Sequence, residues 1–250
     1  MSKTTETGHS NNVANYGKLI ANVTSLGAVY NPVKTSLKLN ALNTQLAAAI
    51  SAMDSCNKAM SVYRAALTIR DVAFEPFGTL VTRINNSLKA SDSSEQIDET
   101  AMGLVRKLQG RRASPKKTEA EKKAATEDGK EVVEISSSRM SYDSRLDNFD
   151  KLIKLLSAVP AYNPNETELK VSSLTALYTD LKNKNSAVSI AEFALNNARI
   201  VRDDILYKTN TGLVDTSVDV KNYIKSVFGT TSPQYKSLSS LKFTNKTNKK

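Results

Sequence analysis

Apolar side chains recur every three or four positions along two long stretches of the chain, which predicts two long amphipathic helices. The stripe of the first stretch contains Leu39, Leu42, Leu46, Ala49, Met53, Cys56, Met60, Tyr63, Leu67, Arg70, Phe74, Phe77, Val81, Ile84 and Leu88. The stripe of the second contains Leu174, Leu177, Leu181, Lys184, Val188, Ala191, Leu195, Ala198, Arg202 and Ile205. This spacing is that of coiled-coil a and d positions, and we expect a central helix of about 50 residues. Because proline disrupts a helix, Pro76 must kink the first helix or divide it.

Near-copies of one phrase precede the two stripes. YNPVKTSLKL starts at Tyr30, and YNPNETELKV starts at Tyr162, 132 positions later. The pairs Arg70-Asp71 and Arg202-Asp203 keep the same offset. We interpret the chain as an internal duplication. This duplication predicts an all-α, elongated helical bundle built from two tandem copies of a three-helix unit with coiled-coil-like central helices.

The duplication divides the chain into five segments. We expect a disordered N-terminal tail at 1–10, repeat 1 at 11–110, a charged linker at 111–130, repeat 2 at 131–243 and a basic C-terminal tail at 244–250. Long amphipathic helices must bury their apolar stripe against other helices or a partner. The copies could stack end to end or lie side by side about a pseudo-twofold axis, and the pattern fits both arrangements.

Breaker and capping residues predict where the helices begin. The Asn-Pro pairs at 31–32 and 163–164 interrupt the chain before each long helix. Thr35 or Ser36, and Thr167 in the second copy, are candidate N-caps. Ser232 followed by Pro233 is typical of an N-cap and the first residue of a short helix.

Composition and charge narrow the classes of function. The chain has 250 residues, a net charge of +10, one Cys and 40% hydrophobic residues. It lacks an apolar segment long enough for a signal peptide or a membrane span, so we expect a cytoplasmic protein. Its positive charge is concentrated between Arg106 and Lys117 and in the region after Asp219.

The sequence offers no recognisable catalytic set, and we expect no enzyme activity, cofactor or small-molecule substrate. The single histidine, His9, lies in the predicted disordered tail, and Cys56 lies on the apolar stripe. No glycine-rich phosphate loop or zinc-ligand spacing is present. Asp143, Asp147 and Asp150 are spaced for one helix face, where a solvated acidic surface is favoured over a hard-cation site.

Two arginines interrupt the apolar stripes at matching positions. Burial of an arginine is costly unless it is paired, so we expect Arg70 and Arg202 to pair with a carboxylate of a neighbouring helix. The candidate partners are Asp147, Asp215 and Asp219. Such pairs would fix helix register, and an anion site at these arginines is the alternative.

A basic stretch gives a second candidate site. The candidate nucleic-acid contacts are Arg106, Lys107, Arg111, Arg112, Lys116 and Lys117. Ser114-Pro115-Lys116-Lys117 resembles the SPKK element of linker histones, and clustered cations can contact phosphates. A flexible, solvated linker or an acidic protein or membrane surface would account for the same charge.

Several longer segments carry a resemblance. QGRRASPK, MSYDSRLDNFDKLIKLL, NARIVRDDILYKTNTGLVD and YIKSVFGTTSPQYKSLSSLKF resemble a family of bacterial proteins of unknown function with a helical, doubled organisation. The resemblance implies an all-α intracellular protein and transfers no site residue. The leading hypothesis is a non-enzymatic scaffold or interaction protein that binds a protein partner or itself. Nucleic-acid binding through the basic linker and the Lys-rich C-terminus is the runner-up, and membrane activity is a third class.

Overall fold

The computed structural model describes residues 7–111 and 140–245. Within these ranges the chain forms helices and turns and no β-strand, so the predicted all-α class is confirmed. The α-helices are α1 (Thr7–Ser25), α2 (Leu39–Phe74), α3 (Phe77–Lys89), α4 (Glu95–Gln109), α5 (Tyr142–Ser157), α6 (Val171–Tyr207), α7 (Leu213–Phe228) and α8 (Pro233–Ser239). None of these helices is long and apolar enough to cross a membrane.

The two long helices are shorter than expected. Helix α2 has 36 residues and α6 has 37, which corresponds to about 55 Å at 1.5 Å per residue. Pro76 divides the predicted longer helix, because α2 ends at Phe74 and α3 begins at Phe77. The predicted stripes are the inward faces of both long helices, since every stripe residue is buried or half-buried.

The structure consists of two compact units. Unit 1 comprises Met1–Arg64 and Ala191–Lys250, and unit 2 comprises Ala65–Ile190. The predicted repeats at 11–110 and 131–243 therefore do not coincide with the units. The reason is that α1 packs on α7 and α8, which follow the second long helix, whereas α5 packs on α4, which follows the first.

Unit 1 is built around α1. Its fully buried side chains include Tyr16, Leu19 and Leu42. The Tyr16 hydroxyl donates to Gln45 Oε1 at 2.7 Å, and Gln45 Nε2 donates to the Thr211 carbonyl at 2.9 Å. A large aromatic ring is thus buried with its polar atom satisfied, as buried hydroxyls require.

Unit 2 has a more aromatic core. Phe77 lies against Phe149 with ring centroids 4.8 Å apart and an interplanar angle of 86°. Such edge-to-face pairs add about 0.5–1.5 kcal/mol to the burial of the rings. Leu88 and Leu174 extend the same cluster. The core joins α3, α4 and α5 to the parts of α2 and α6 that belong to this unit.

The N-terminal and C-terminal predictions need correction where the structure describes them. Helix α1 starts at Thr7, so the last four residues of the predicted tail at 1–10 are helical. His9, expected to be disordered, is 3% exposed. Its spacing of three and seven residues from Asn12 and Tyr16 places all three on one helix face. At the other end, Thr244 of the predicted tail is bound to α1.

One predicted helix cap is confirmed and the others are wrong. Ser232 Oγ accepts from the Tyr235 N–H at 3.1 Å, and Pro233 starts α8. Thr35, Ser36 and Thr167 lie instead in short 3-10 turns, Thr35–Leu37 and Thr167–Leu169, that end before the long helices begin. A tight turn forms where each Asn-Pro pair interrupts the chain, and this displaces the helix start.

Candidate functional site

Arg70 lies in unit 2 and is held by two neighbours. Its side chain is 15% exposed, and its Nε lies 3.3 Å from Asp71 Oδ1. Its guanidinium carbon lies 3.8 Å from the centroid of the Tyr142 ring on α5. The prediction that Arg70 pairs with a carboxylate of a neighbouring helix is therefore wrong. Asp71 follows Arg70 on the same helix, and the contact of Arg70 with another helix is the cation–π interaction with Tyr142.

A hydrogen bond completes this arrangement. The Tyr142 hydroxyl donates to Asp71 Oδ1 at 2.7 Å. This bond lowers the pKa of the Asp71 carboxyl, and Arg70 lowers it further. The same bond raises the pKa of Tyr142. Asp71 is thus held as the carboxylate and Tyr142 as the neutral phenol at neutral pH.

Arg202 lies in unit 1, so the two predicted arginines belong to different compact units. Its side chain is 5% exposed, and its Nη2 lies 2.8 Å from Asp203 Oδ1. The three carboxylates proposed as partners make other contacts: Asp147 with Lys151, Asp219 with Lys34, and Asp215 with the Asn210 N–H.

Arg145 on α5 was missed by sequence reasoning. Its guanidinium carbon lies 5.0 Å from the ring centroids of both Phe74 and Phe77. Burial lowers its pKa. A signal was present in the sequence, since Arg145 lies three residues after Tyr142 and four before Phe149 on the apolar side of α5. It therefore belongs to the same group of side chains as Arg70.

A buried polar cluster in unit 1 was also missed. His9 Nδ1 and the Tyr207 hydroxyl are 2.7 Å apart, and Asn12 Nδ2 donates to the same hydroxyl at 3.3 Å. Asn12 also binds the main chain of Thr244 in both directions, accepting from its N–H at 3.0 Å and donating to its carbonyl at 2.8 Å. The cluster ties the first helix to the end of α6 and to the C-terminal segment.

The predicted acidic and thiol sites have ordinary structural surroundings. Asp147 and Asp150 each pair with the lysine four residues later on α5, and Asp143 accepts from Asn185. Across residues 7–111 and 140–245, no cluster of three His, Cys, Asp or Glu side chains could hold a metal ion. Cys56 is a buried thiol on the inward face of α2.

Half of the basic candidates are described. Arg106 and Lys107 lie in the last turn of α4, which ends at Gly110 with a φ of 66°. This left-handed residue lets the Arg111 N–H bind the Arg106 carbonyl at 2.9 Å, so the chain turns away from the helix. Lys107 and Arg111 are exposed. Arg112, Lys116 and Lys117 lie outside the described residues.

An open groove lies between α2 and α6 in unit 1. The α2/α6 groove has a volume of about 420 Å³ and is lined by Ala48, Ser51, Ala52, Ser55, Asn197, Ala198, Val201 and Ile205. Its walls carry no charge, and most of its lining side chains are small. Phe193 lies one helical turn before Asn197 and is 70% exposed. The groove and this ring form an apolar surface in a chain of which 24% of residues are charged.

Comparison with known proteins adds no family or function. No family model, curated protein or solved structure matches the chain.

Proposed function

We propose that the protein is a non-enzymatic helical interaction module that associates with a second copy of itself through the α2/α6 groove. The observation that supports this function is the exposed ring of Phe193 beside a groove lined by small, uncharged side chains. Large aromatic side chains that fill pockets supply much of the energy of protein interfaces. The groove and the ring therefore have the features of an interface.

Phe193 is one of several exposed apolar side chains near the groove. Ile200 is 66% exposed and Val201 is 55% exposed, and both follow Phe193 on α6 by about two turns. Single exposed apolar residues are common on soluble proteins, whereas clustered ones mark interaction sites. Covering all three in a complex would remove their side chains from water.

The absence of charge favours an apolar partner surface. None of the eight residues that line the groove is charged. A strongly charged partner would find little to pair with here. A second copy fits because one surface carries both a projecting ring and a recess. A twofold interface requires such self-complementarity.

Sedimentation equilibrium over a range of concentrations tests the proposal with Phe193→Ser. Burial of a phenylalanine contributes about 1.5–3 kcal/mol, and a twofold interface loses this contribution twice. The dimer dissociation constant should therefore rise about 100-fold or more. Val218→Ser is the matched control, because Val218 is an exposed apolar residue of unit 1 on α7. A monomeric wild-type protein, or equal effects of both substitutions, would contradict the proposal.

The duplication is a further part of the proposal. The turns before the two long helices have nearly the same geometry: Lys34 has φ and ψ of −63° and 117°, and Glu166 has −65° and 114°. The Tyr30 hydroxyl donates to the Leu37 carbonyl at 2.7 Å, and the Tyr162 hydroxyl donates to the Leu169 carbonyl at 2.9 Å. These matched bonds support two copies of one unit. A cytoplasmic location is proposed with it, supported by the presence of a single cysteine, which rules out an intrachain disulfide.

Nucleic-acid binding is the alternative function. Within the described part of the chain, Lys107 and Arg111 are exposed and make no ion pair, which leaves both charges available to phosphates. Binding of duplex DNA that weakens steeply with salt would favour this alternative. The groove gives no reason for such binding, and self-association therefore remains the leading proposal.

A further inference from the structure

The guanidinium of Arg145 in unit 2 is the most unusual polar group of the described residues. Its Nε is buried and has no hydrogen-bond partner among the described residues. The described contacts of its guanidinium are with the faces of Phe74 and Phe77, each 5.0 Å from the guanidinium carbon. Burial lowers the pKa of this side chain. An arginine has five N–H donors, and a packed position normally supplies acceptors for several of them.

Packing alone gives little reason for an arginine at this place. A cation over an aromatic ring is favourable, but a buried N–H such as the Nε of Arg145 is costly to leave without an acceptor. An apolar side chain of similar length would fill the space beside the two rings without that cost. The residue type therefore indicates a partner that makes hydrogen bonds and carries negative charge.

Among the described residues, the charged groups near Arg145 leave one positive charge without a carboxylate partner. Arg70 lies over Tyr142, Tyr142 packs edge-on against Phe74 at 4.8 Å, and Arg145 lies over Phe74. The carboxylate in this group is Asp71, which accepts from the Tyr142 hydroxyl and pairs with Arg70. Two guanidinium groups thus share one carboxylate. The uncompensated cation is Arg145.

Unit 1 shows what occupies the comparable place on its own short helix. Asn12 lies on α1 four residues before Tyr16, as Arg145 lies on α5 four residues before Phe149. Asn12 binds a main-chain carbonyl and N–H of the C-terminal segment. The fold thus accommodates a polar group against this face of the short helix. A guanidinium in place of an amide changes the preferred partner to an anionic oxygen.

We propose that Arg145 forms a binding site for an oxyanion, either a phosphate group or a carboxylate, on unit 2. Arginine matches both groups, because its planar fork can donate two parallel hydrogen bonds to two oxygens. The rings of Phe74 and Phe77 hold the Arg145 guanidinium in place. Asp71 balances Arg70, so the oxyanion balances Arg145. This site is independent of the α2/α6 groove, which belongs to unit 1.

Thermal unfolding of the full chain tests the site. The midpoint is measured with sodium phosphate and, separately, with sodium acetate, each against sodium chloride of equal ionic strength at the same pH. At about a 100-fold excess over its dissociation constant, a bound oxyanion should raise the midpoint by about 5–10 °C beyond the chloride control. A rise with phosphate alone identifies phosphate as the ligand chemistry, and a rise with acetate identifies a carboxylate.

Matched variants separate the site from general screening of the basic chain. Arg145→Leu should abolish the extra rise, and Arg145→Lys should reduce it, because lysine keeps the charge without the planar fork. Lys89→Gln removes one exposed positive charge of unit 2 and should keep the full rise. If Arg145→Leu does not fold, Arg145→Lys decides. No rise beyond chloride in the wild-type protein, or the same rise in every variant, overturns the proposal.

Discussion

The two compact units differ at the place where a short helix meets the end of a long one. In unit 1, His9 and Asn12 of α1 form hydrogen bonds with Tyr207 near the end of α6. In unit 2, Tyr142 and Arg145 of α5 meet Phe74 at the end of α2 through ring contacts. The first junction is a polar network, and the second is a cation–aromatic stack.

The difference has a physical consequence for each unit. Hydrogen bonds are directional and need every partner in place, so the unit 1 junction depends on the main chain at Thr244. Ring contacts are less directional, so the unit 2 junction forms without a comparable described segment. It leaves the Nε of Arg145 without a partner. Packing thus determines that a short helix lies here, and the side-chain chemistry determines what else can bind.

The largest effect is expected in the aromatic junction. Phe74→Ala should reduce the free energy of unfolding by about 3–5 kcal/mol, because it leaves a cavity and removes the ring between Tyr142 and Arg145. The ring is 3% exposed and also contacts Phe77, at 5.8 Å between centroids. Denaturant unfolding followed by circular dichroism measures the change.

Phe74→Leu is the control for volume. Leucine keeps most of the packing and loses the ring contacts. The loss in the free energy of unfolding should therefore stay below about 1.5 kcal/mol for the packing, with a smaller additional loss for the aromatic contacts. Equal costs for Phe74→Leu and Phe74→Ala would mean that ring chemistry, rather than volume, stabilises the junction. A cost of Phe74→Ala below about 1 kcal/mol would show that this side of unit 2 is not a packed core.

A smaller effect is expected in the polar junction. Asn12→Ala removes the acceptor of the Thr244 N–H and the donor to its carbonyl. The free energy of unfolding should fall by about 1–3 kcal/mol, because the Tyr207 hydroxyl and the Thr244 main chain lose partners. Hydrogen exchange of the Thr244 amide should become much faster, since this amide is released with the segment.

Asn15→Ala provides the matched comparison for this junction. Asn15 donates to the Lys242 carbonyl at 2.8 Å at an exposed position, so water can replace it at a cost below about 1 kcal/mol. Thr244 exchange that is unchanged in Asn12→Ala would indicate that Leu241 and Phe243, which pack on the unit 1 core, hold the segment by themselves.

The sequence predicted which sides of the long helices are buried and where a helix is divided, but it did not predict which helices pack on each other. The three-four spacing located the buried sides of α2 and α6, and Pro76 located the division between α2 and α3, because both are local effects. The same spacing is satisfied by any helix that covers the stripe. It therefore could not show that α1 packs on α7 or that α5 packs on α4. That choice depends on side-chain shape across long sequence separations.

The candidate sites show the same limit. Arg70 and Arg202 were identified because each is charged within an apolar stripe, but Asp71 and Asp203 were overlooked because neighbours on a helix point in different directions. A long arginine side chain can still turn toward the next residue. Arg145 was overlooked because the pattern of α5 drew attention to its apolar positions and to its three aspartates, Asp143, Asp147 and Asp150. His9 was assigned to a tail from the polarity of its neighbours, whereas its burial follows from helical spacing.

The smallest effect is expected in the matched turns, where the two units are most alike. Tyr30→Phe and Tyr162→Phe each remove one hydroxyl that donates to a main-chain carbonyl. Each should lower the free energy of unfolding by about 1 kcal/mol at pH 8, and the two values should agree within about 0.5 kcal/mol. Costs that differ by more than about 1.5 kcal/mol would contradict equivalent turns.

The pH dependence sharpens this comparison. Burial raises the pKa of Tyr30 to about 12, and burial also raises the pKa of Tyr162. The protonated phenol is thus favoured in the folded state, so its contribution is complete below the unfolded pKa of about 10 and is lost as pH rises toward 12. The stability difference between the wild-type protein and Tyr30→Phe should therefore shrink between pH 10 and pH 12. General alkaline effects cancel in that difference, because both proteins share every other group. A difference that stays constant over this range would mean that the Tyr30 hydroxyl reaches water, and the matched turns would then owe their geometry to the backbone alone.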